Sequence, residues 1–204
     1  MSKITKIIQQ VKRVDRYSIF VEGKYSFSLS ETALLQSGLA RGQELTKEQV
    51  GEYKVLSADD KIYSQALRYA AMRNRSVWEM EQYLKRKNTA PPLVTDILNK
   101  LSKIGILSDE TFARSWVANR RLLKPTSLRR LKQELRAKRV PDGIIEVTLQ
   151  EDGTDELTTL QELIQKKRKQ TKYQDNLKLM QYLARQGYNY GDIKSALNNP
   201  TVED

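Results

Sequence analysis

The sequence predicts a mainly α-helical protein: three tandem three-helix repeats forming an elongated, curved array, preceded by a small N-terminal antiparallel β-sheet or hairpin region. Three observations predict it. Apolar residues recur at helix-face spacing in three successive stretches beyond residue 57, and the same apolar positions align in all three. Strand alternation with turn residues is confined to the first 29 residues.

The N-terminal elements come first. Tyr17–Val21 and Lys24–Leu29 have strand character, and in the second Tyr25, Phe27 and Leu29 alternate with polar residues. Glu22-Gly23 between them is a hairpin signal. Ile4, Ile7, Ile8, Val11 and Val14 supply one or two further strand segments. A lone hairpin is marginal in water, so this sheet should pack on something. Ser30 to Ser37 reads as a short helix ended by Gly38, and Thr46-Lys47-Glu48-Gln49 is a capping box that opens another.

The repeat is anchored on Leu84, Leu135 and Leu183. Four residues before each stands Met80, Leu131 or Leu179; ten after stands Val94, Ile145 or Ile193; fourteen after stands Leu98, Leu149 or Leu197. These are two helix-face pairs separated by a turn, and Pro91, Pro92 and Pro141 suit the first turn of the following helix. A third helix precedes each pair. It runs from about Asp59 to Met72 (Ile62, Ala66, Tyr69 and Ala70 inward), Glu110 to Leu122 (Phe112, Ala113, Trp116 and Val117) and Glu156 to Lys169 (Leu157, Leu160, Leu163 and Ile164). Ser76-Val77-Trp78-Glu79 is a second capping box. The domains expected are 1–57, an N-terminal extension, then repeats over 58–107, 108–153 and 154–204. Such a repeat array has each module touching mainly its neighbours.

Composition narrows the function. The 204 residues contain no cysteine and no histidine, which removes disulfides, thiolates, and the commonest general base and metal ligand. No Gly-rich phosphate loop or metal-ligand cluster is present, so neither an enzyme nor a cofactor is expected. The acids Glu151, Asp152, Asp155 and Glu156 read as a solvated linker between modules. No apolar run spans a membrane and no export signal opens the chain, which points to the cytoplasm. Trp78 and Trp116 read as core, and Tyr188 and Tyr190 as a turn pair that packs.

The net charge of +11 points to a polyanionic partner. The excess is +3 over 1–57, +4 over 58–107, +3 over 108–154 and +1 over 155–204. Between Ala113 and Val140 lie ten basic residues, seven of them arginine, against Glu134 alone. Arg129, Lys132 and Arg136 share one helix face, opposite Leu128, Leu131 and Leu135. The candidate binding residues are Arg73, Arg75, Lys85 and Arg86 in the first module, and Arg120, Arg121, Lys124, Arg129, Arg130, Lys132, Arg136 and Lys138 in the second. Arginine suits bidentate phosphate or carboxylate contacts. The surface is therefore centred on module two and shared with module one.

Several stretches resemble the RecX family. Ala66-Leu67-Arg68-Tyr69 with Arg73-Asn74-Arg75-Ser76 and Glu79 is similar to its opening, and Gly105 through Trp116 to its most recognisable stretch. Glu134-Leu135-Arg136-Ala137-Lys138 and Leu183 through Tyr188 resemble later repeat signatures. The likeness covers about 58–199, and the N-terminal sheet resembles an extension of some members. The sequence departs from the family pattern at Lys124-Pro125, where a glycine is usual, and at Lys138-Arg139-Val140, where Lys-Gly-Ile is usual. The resemblance implies tandem three-helix repeats and a modulator, usually an inhibitor, of the RecA recombinase that lodges in the groove of the RecA–DNA filament. Expected partners are thus the RecA filament and single- and double-stranded DNA, the latter bound weakly and without sequence specificity by a monomer. The alternative is a helical DNA-binding protein, architectural or transcriptional, with no RecA role. A carboxylate nuclease is disfavoured, since it would need clustered acids beside the basic face and a metal.

Overall fold

A computed structural model describes residues 1–198. The last six positions of the third expected repeat, 199–204, lie outside the described residues. The chain divides into two compact units: Met1–Arg73 with Met80–Ile106, and Asn74–Glu79 with the chain from Leu107 on.

The first unit opens with a four-stranded antiparallel sheet built from β1 (Ser2–Gln9), β2 (Arg16–Val21), β3 (Lys24–Ser30) and β4 (Glu44–Leu45), in the order β3-β2-β1-β4. Glu22 and Gly23 both take positive φ, 49° and 74°, the pair of left-handed residues that a two-residue type I′ hairpin requires. Val11 and Val14 extend no strand: both are exposed in the loop after β1, because β1 has paired with β2 only as far as Gln9. Ser30 caps α1 (Glu31–Ser37), and Gly38 ends it in the left-handed region at φ 63°.

Two helices were expected between Thr46 and Met72; a single helix, α2 (Lys47–Ala71), runs through both spans. Its one interior glycine, Gly51, lies in the early turns, and no proline interrupts it. The middle of α2 is tied to the sheet instead of being a break. Arg16 of β2 pairs with Asp60 at 2.9 Å, both almost fully buried, and Asp60 accepts from the Ser30 backbone N–H and hydroxyl. Arg16 also donates to the Ser28 hydroxyl and to the Ser28 and Ser57 carbonyls. Around this polar bolt the sheet core of Ile4, Ile19, Phe27, Leu29 and Leu45 closes against Val50 and Tyr53 of α2, with Phe27 stacked on Tyr53 at 5.7 Å. Further along the first unit, Ala66 and Ala70 of α2 are buried, as are Met80 and Leu84 of α3 (Val77–Arg86) and Val94, Ile97 and Leu101 of α4 (Pro91–Lys103). Tyr69 and Tyr83 stack at 4.1 Å.

Among the described residues the second unit holds six helices from Leu107 on: α5 (Asp109–Leu123), α6 (Leu128–Ala137), α7 (Asp142–Asp152), α8 (Glu156–Arg168), α9 (Asn176–Arg185) and α10 (Tyr190–Asn198), with a 3-10 turn at Thr171–Tyr173. α5 to α7 enclose Phe112, Val117, Leu131, Leu135, Val140 and Ile145. α8 to α10 enclose Leu160, Leu163, Leu179, Leu183, Tyr188 and Ile193. Leu157, expected inward, is 44% exposed: it lies in the first turn of α8, whose buried residues begin at Thr159 and Leu160.

The repeat holds down to backbone hydrogen bonds. Eight residues before each anchor leucine, Ser76, Ser127 or Asp175 caps the helix by accepting from the N–H three residues on. Four residues after it, Asn88, Arg139 or Gly187 takes positive φ (54°, 58° and 96°). The next N–H, of Thr89, Val140 or Tyr188, returns to the leucine carbonyl at 3.3, 3.2 and 3.3 Å. This is a Schellman ending, and it buries the side chain of that next residue in all three modules.

Candidate functional site

The candidate site is the basic surface of the second module. Ser127 sets the start of α6, and fully buried Leu131 and Leu135 set its rotation, so its charged residues are held off the core. Of the three cations predicted to share a face of α6, Lys132 and Arg136 are engaged. Lys132 pairs with Glu146 at 3.2 Å and Arg136 with Asp142 at 2.7 Å, both partners belonging to α7. Arg120 lies 4.8 Å over the Trp116 ring and 2.7 Å from Glu134, and Arg130 reaches the other Glu134 oxygen at 3.4 Å. The Trp116 indole N–H donates to Glu134 as well, so that carboxylate organises three donors. Lys138 reaches Glu79 at 2.7 Å, and its ammonium lies 5.5 Å from the centre of the Trp116 ring.

Arg121 is largely withdrawn from solution, with 13% of its side chain exposed. Its guanidinium grips Asp152 through two nitrogens and donates to the Thr126 carbonyl. Lys124 is exposed, with its ammonium 3.5 Å from the Gln186 side-chain oxygen. Arg129 is exposed and, like Arg139, makes no ion pair among the described residues. In the first module Arg73 is exposed and Arg75 half-buried. Lys85 pairs with Glu81 one turn back, and with Arg86 it occupies the last turn of α3, where cations complement the helix dipole.

The one-sided charge between Ala113 and Val140 is thus largely balanced. Counting along the sequence saw only Glu134, whereas folding delivers Glu79, Asp142, Glu146, Glu151 and Asp152 from outside the segment. The expected acidic linker is likewise structural. Glu151 pairs with Arg114, Asp152 with Arg121, Asp155 caps α8, and Glu156 accepts from the Leu128 backbone N–H at 3.0 Å. In the preceding module Asp109 does what Glu156 does here, accepting from the Val77 N–H at 2.9 Å; burial pushes its carboxyl above the usual range against that bond. Hydrogen bonds from Arg136 and Arg114 hold Asp142 and Glu151 below it.

Trp78 and Trp116 are half-buried, Tyr188 is buried, and Tyr190 is 63% exposed. Among the described residues no group of carboxylates is placed to hold a metal ion, and no helix is long and apolar enough to cross a membrane. The candidate set read from the sequence leaves out Gln186, Arg185 and Lys167, which border the module-two cations. The signal was in the repeat register: Arg130 and Gln186 stand where Glu79 and Lys138 stand one junction earlier.

Four family descriptions match the chain in order. They are "Regulatory protein RecX N-terminal domain" over 2–46, "RecX, first three-helix domain" over 63–101, "RecX, second three-helix domain" over 108–149 and "RecX, third three-helix domain" over 154–197. The chain is 30% identical to the regulatory protein RecX of Bacillus subtilis (strain 168), an alignment covering 100% of this chain and 79% of that one. It is 30% identical to that of Bacillus pumilus (strain SAFR-032), over 97% and 77%. A crystal structure of regulatory protein RecX superposes with a TM-score of 0.76 at 26% identity, covering 98% of this chain and 100% of that one. With the N-terminal sheet and all three helical modules matched, this chain belongs to the RecX family of regulatory proteins.

Proposed function

We propose that the chain regulates the RecA recombinase, as an inhibitor that binds in the groove of the RecA–DNA filament and has weak, sequence-tolerant DNA binding of its own. On this reading it works as a cytoplasmic monomer, needs no cofactor and catalyses no reaction. Its regions are an N-terminal extension over 1–57 and three modules over 58–107, 108–153 and 154–204. Family membership supports the regulatory role. The observation that carries the contact is the exposed margin of module two, where Lys124, Arg129 and Arg139 are exposed and make no ion pair among the described residues, with Lys124 close to the shared Arg120–Glu134–Arg130 cluster. Cations of that kind attract a phosphate backbone without reading bases, which gives affinity that falls with salt and little sequence preference.

The test is a strand-exchange or DNA-dependent ATPase assay with the cognate RecA. Stoichiometric protein should suppress both reactions, and no effect at that ratio sinks the proposal. Tight binding to one DNA sequence over competitors, without RecA, would instead mark an architectural or transcriptional protein.

A further inference from the structure

We propose that the junction of the second and third modules is a phosphate-binding seat for a single-stranded nucleic-acid backbone, formed by Lys124, Arg130, Lys167 and Arg185 around Gln186. The inference rests on the DNA-binding reading above and deepens it by naming a place and by bringing in the third module, the one with the smallest charge excess.

The four cations come from four helix ends. Lys124 follows α5, Arg130 lies in the first turns of α6, Lys167 in the last turn of α8, and Arg185 ends α9. Two of them meet at Gln186, whose side-chain oxygen accepts from Arg130 at 2.9 Å and lies 3.5 Å from the Lys124 ammonium; Arg185 lines the same cleft, and the charge of Lys167 acts on Lys124. A neutral oxygen therefore stands where a carboxylate would balance charge. The contrast lies within the same unit: at the preceding junction the equivalent positions are Glu79 and Lys138, which close as an ion pair at 2.7 Å. Arg130, Arg185 and Gln186 line an open cleft of about 240 Å³ with Gln133, Glu134 and Ala137. That is below the roughly 300–1,000 Å³ of small-molecule sites, and fits one group of a longer ligand.

Glu134 is the one carboxylate in the cleft, and it is already shared by Arg120, Arg130 and the Trp116 indole. Partial burial, followed by the charges of Arg130, Lys167 and Arg120, holds the Lys124 ammonium below its ordinary pKa against the pull of Glu134. An incoming anion relieves that repulsion. One feature favours a nucleic-acid strand over an acidic peptide, since guanidinium forks match phosphate and carboxylate oxygens alike. Lys167 sits 5.5 and 4.9 Å over the rings of Tyr173 and Tyr182, half-buried aromatics of the kind on which single-strand grooves stack bases.

The experiment measures binding of a fluorescein-labelled oligothymidylate by anisotropy across a salt series, using the full chain with Lys167→Glu and Arg185→Glu. Affinity should fall at least ~10-fold near 0.1 M salt, and the slope of log K on log salt should flatten by about 1.4, since each phosphate on a single strand accounts for about 0.7. The control, Lys54→Glu with Lys61→Glu on α2, changes net charge equally and should lose far less. Equal losses in both variants, or unchanged binding in the first, overturn the seat. Unchanged oligonucleotide binding with lost binding of a polyglutamate peptide assigns the junction to protein and also overturns it. If the reversals unfold the chain by circular dichroism, Lys167→Ala with Arg185→Ala is read by the same criteria. Neither residue belongs to the module-two face, so failure here leaves the recombinase assay to decide the regulatory role.

Discussion

Arg121 and Asp152 form an ion pair with only 13% and 9% of their side chains exposed, joining the end of α5 to the end of α7. Arg121 was a candidate for touching a partner, but the fold has used its guanidinium internally. Removing one member of a buried pair leaves the other charge desolvated without a counter-ion, which costs about 3–5 kcal/mol. Arg121→Ala should therefore destabilise the second unit by that amount in denaturant titrations. Arg121→Ala combined with Asp152→Ala should cost less than the two single changes added. Additive losses in a double-mutant cycle would show the two residues to be uncoupled.

Leu135 is fully buried among Leu131, Val140 and Ile145, and its carbonyl receives the returning Val140 N–H. Leu135→Ala removes packing that no neighbour replaces, so the second module should lose about 2–5 kcal/mol. Urea denaturation followed by Trp116 fluorescence in a Trp78→Phe background reads this directly. A midpoint within error of the parent would mean that the site collapses around the smaller side chain.

The legibility of these features in the sequence follows their range. Leu84, Leu135 and Leu183 were visible because helix periodicity is local and was written three times. The hairpin at Glu22-Gly23 and the cap at Ser30 were visible because turn chemistry is local too. Arg16–Asp60 was invisible, since it joins a strand to a helix 44 residues on and no periodicity marks it. The same blindness split α2 into two expected helices, one opening at Thr46 and one near Asp59, where a single helix runs through and is tied at Ser57 and Asp60 to Ser28 and Ser30 of the sheet. Charge suffered most. A segment count cannot see Asp142 curling back onto Arg136, and so it overstated how much of the basic face is free.

Stability should also depend on pH in a defined direction. Asp142 and Glu151 are held low by hydrogen bonds from Arg136 and Arg114, and Asp155 by the Thr158 backbone N–H. Carboxylates depressed in the folded state stabilise it above their ordinary pKa, and that help is lost as pH falls through the carboxylate range. The melting temperature of the second unit should therefore drop between about pH 5 and pH 2. Asp155→Asn, which keeps a capping oxygen without the charge, should make that drop shallower.

Arg139 holds φ 58° at the position where Asn88 and Gly187 stand in the other modules. A side chain with a Cβ is strained there, and the family glycine noted at this place would relieve it. Arg139→Gly should stabilise the second module by about 1 kcal/mol, the size of the left-handed penalty for an L-residue. Thermal denaturation checks it, and a lower melting temperature would mean that the arginine side chain makes a compensating contact.

The basic face divides by how each charge is already spent. Lys132 and Arg136 face Glu146 and Asp142, whereas Arg129 faces solvent with its Cβ beside the Gly187 turn. A paired cation must give up its carboxylate to bind a phosphate, and the freed carboxylate then repels the strand. Arg129→Glu should consequently weaken DNA binding more than Arg136→Glu, by several-fold at low salt, with the gap closing as salt screens both. Reversing Arg129, Lys132 and Arg136 together should lower binding to DNA or to RecA with the helical circular dichroism retained. Equal effects of Arg129→Glu and Arg136→Glu would mean that the surface ion pairs cost nothing to open, and unchanged binding of the triple variant to both partners would show this face to be solvent decoration.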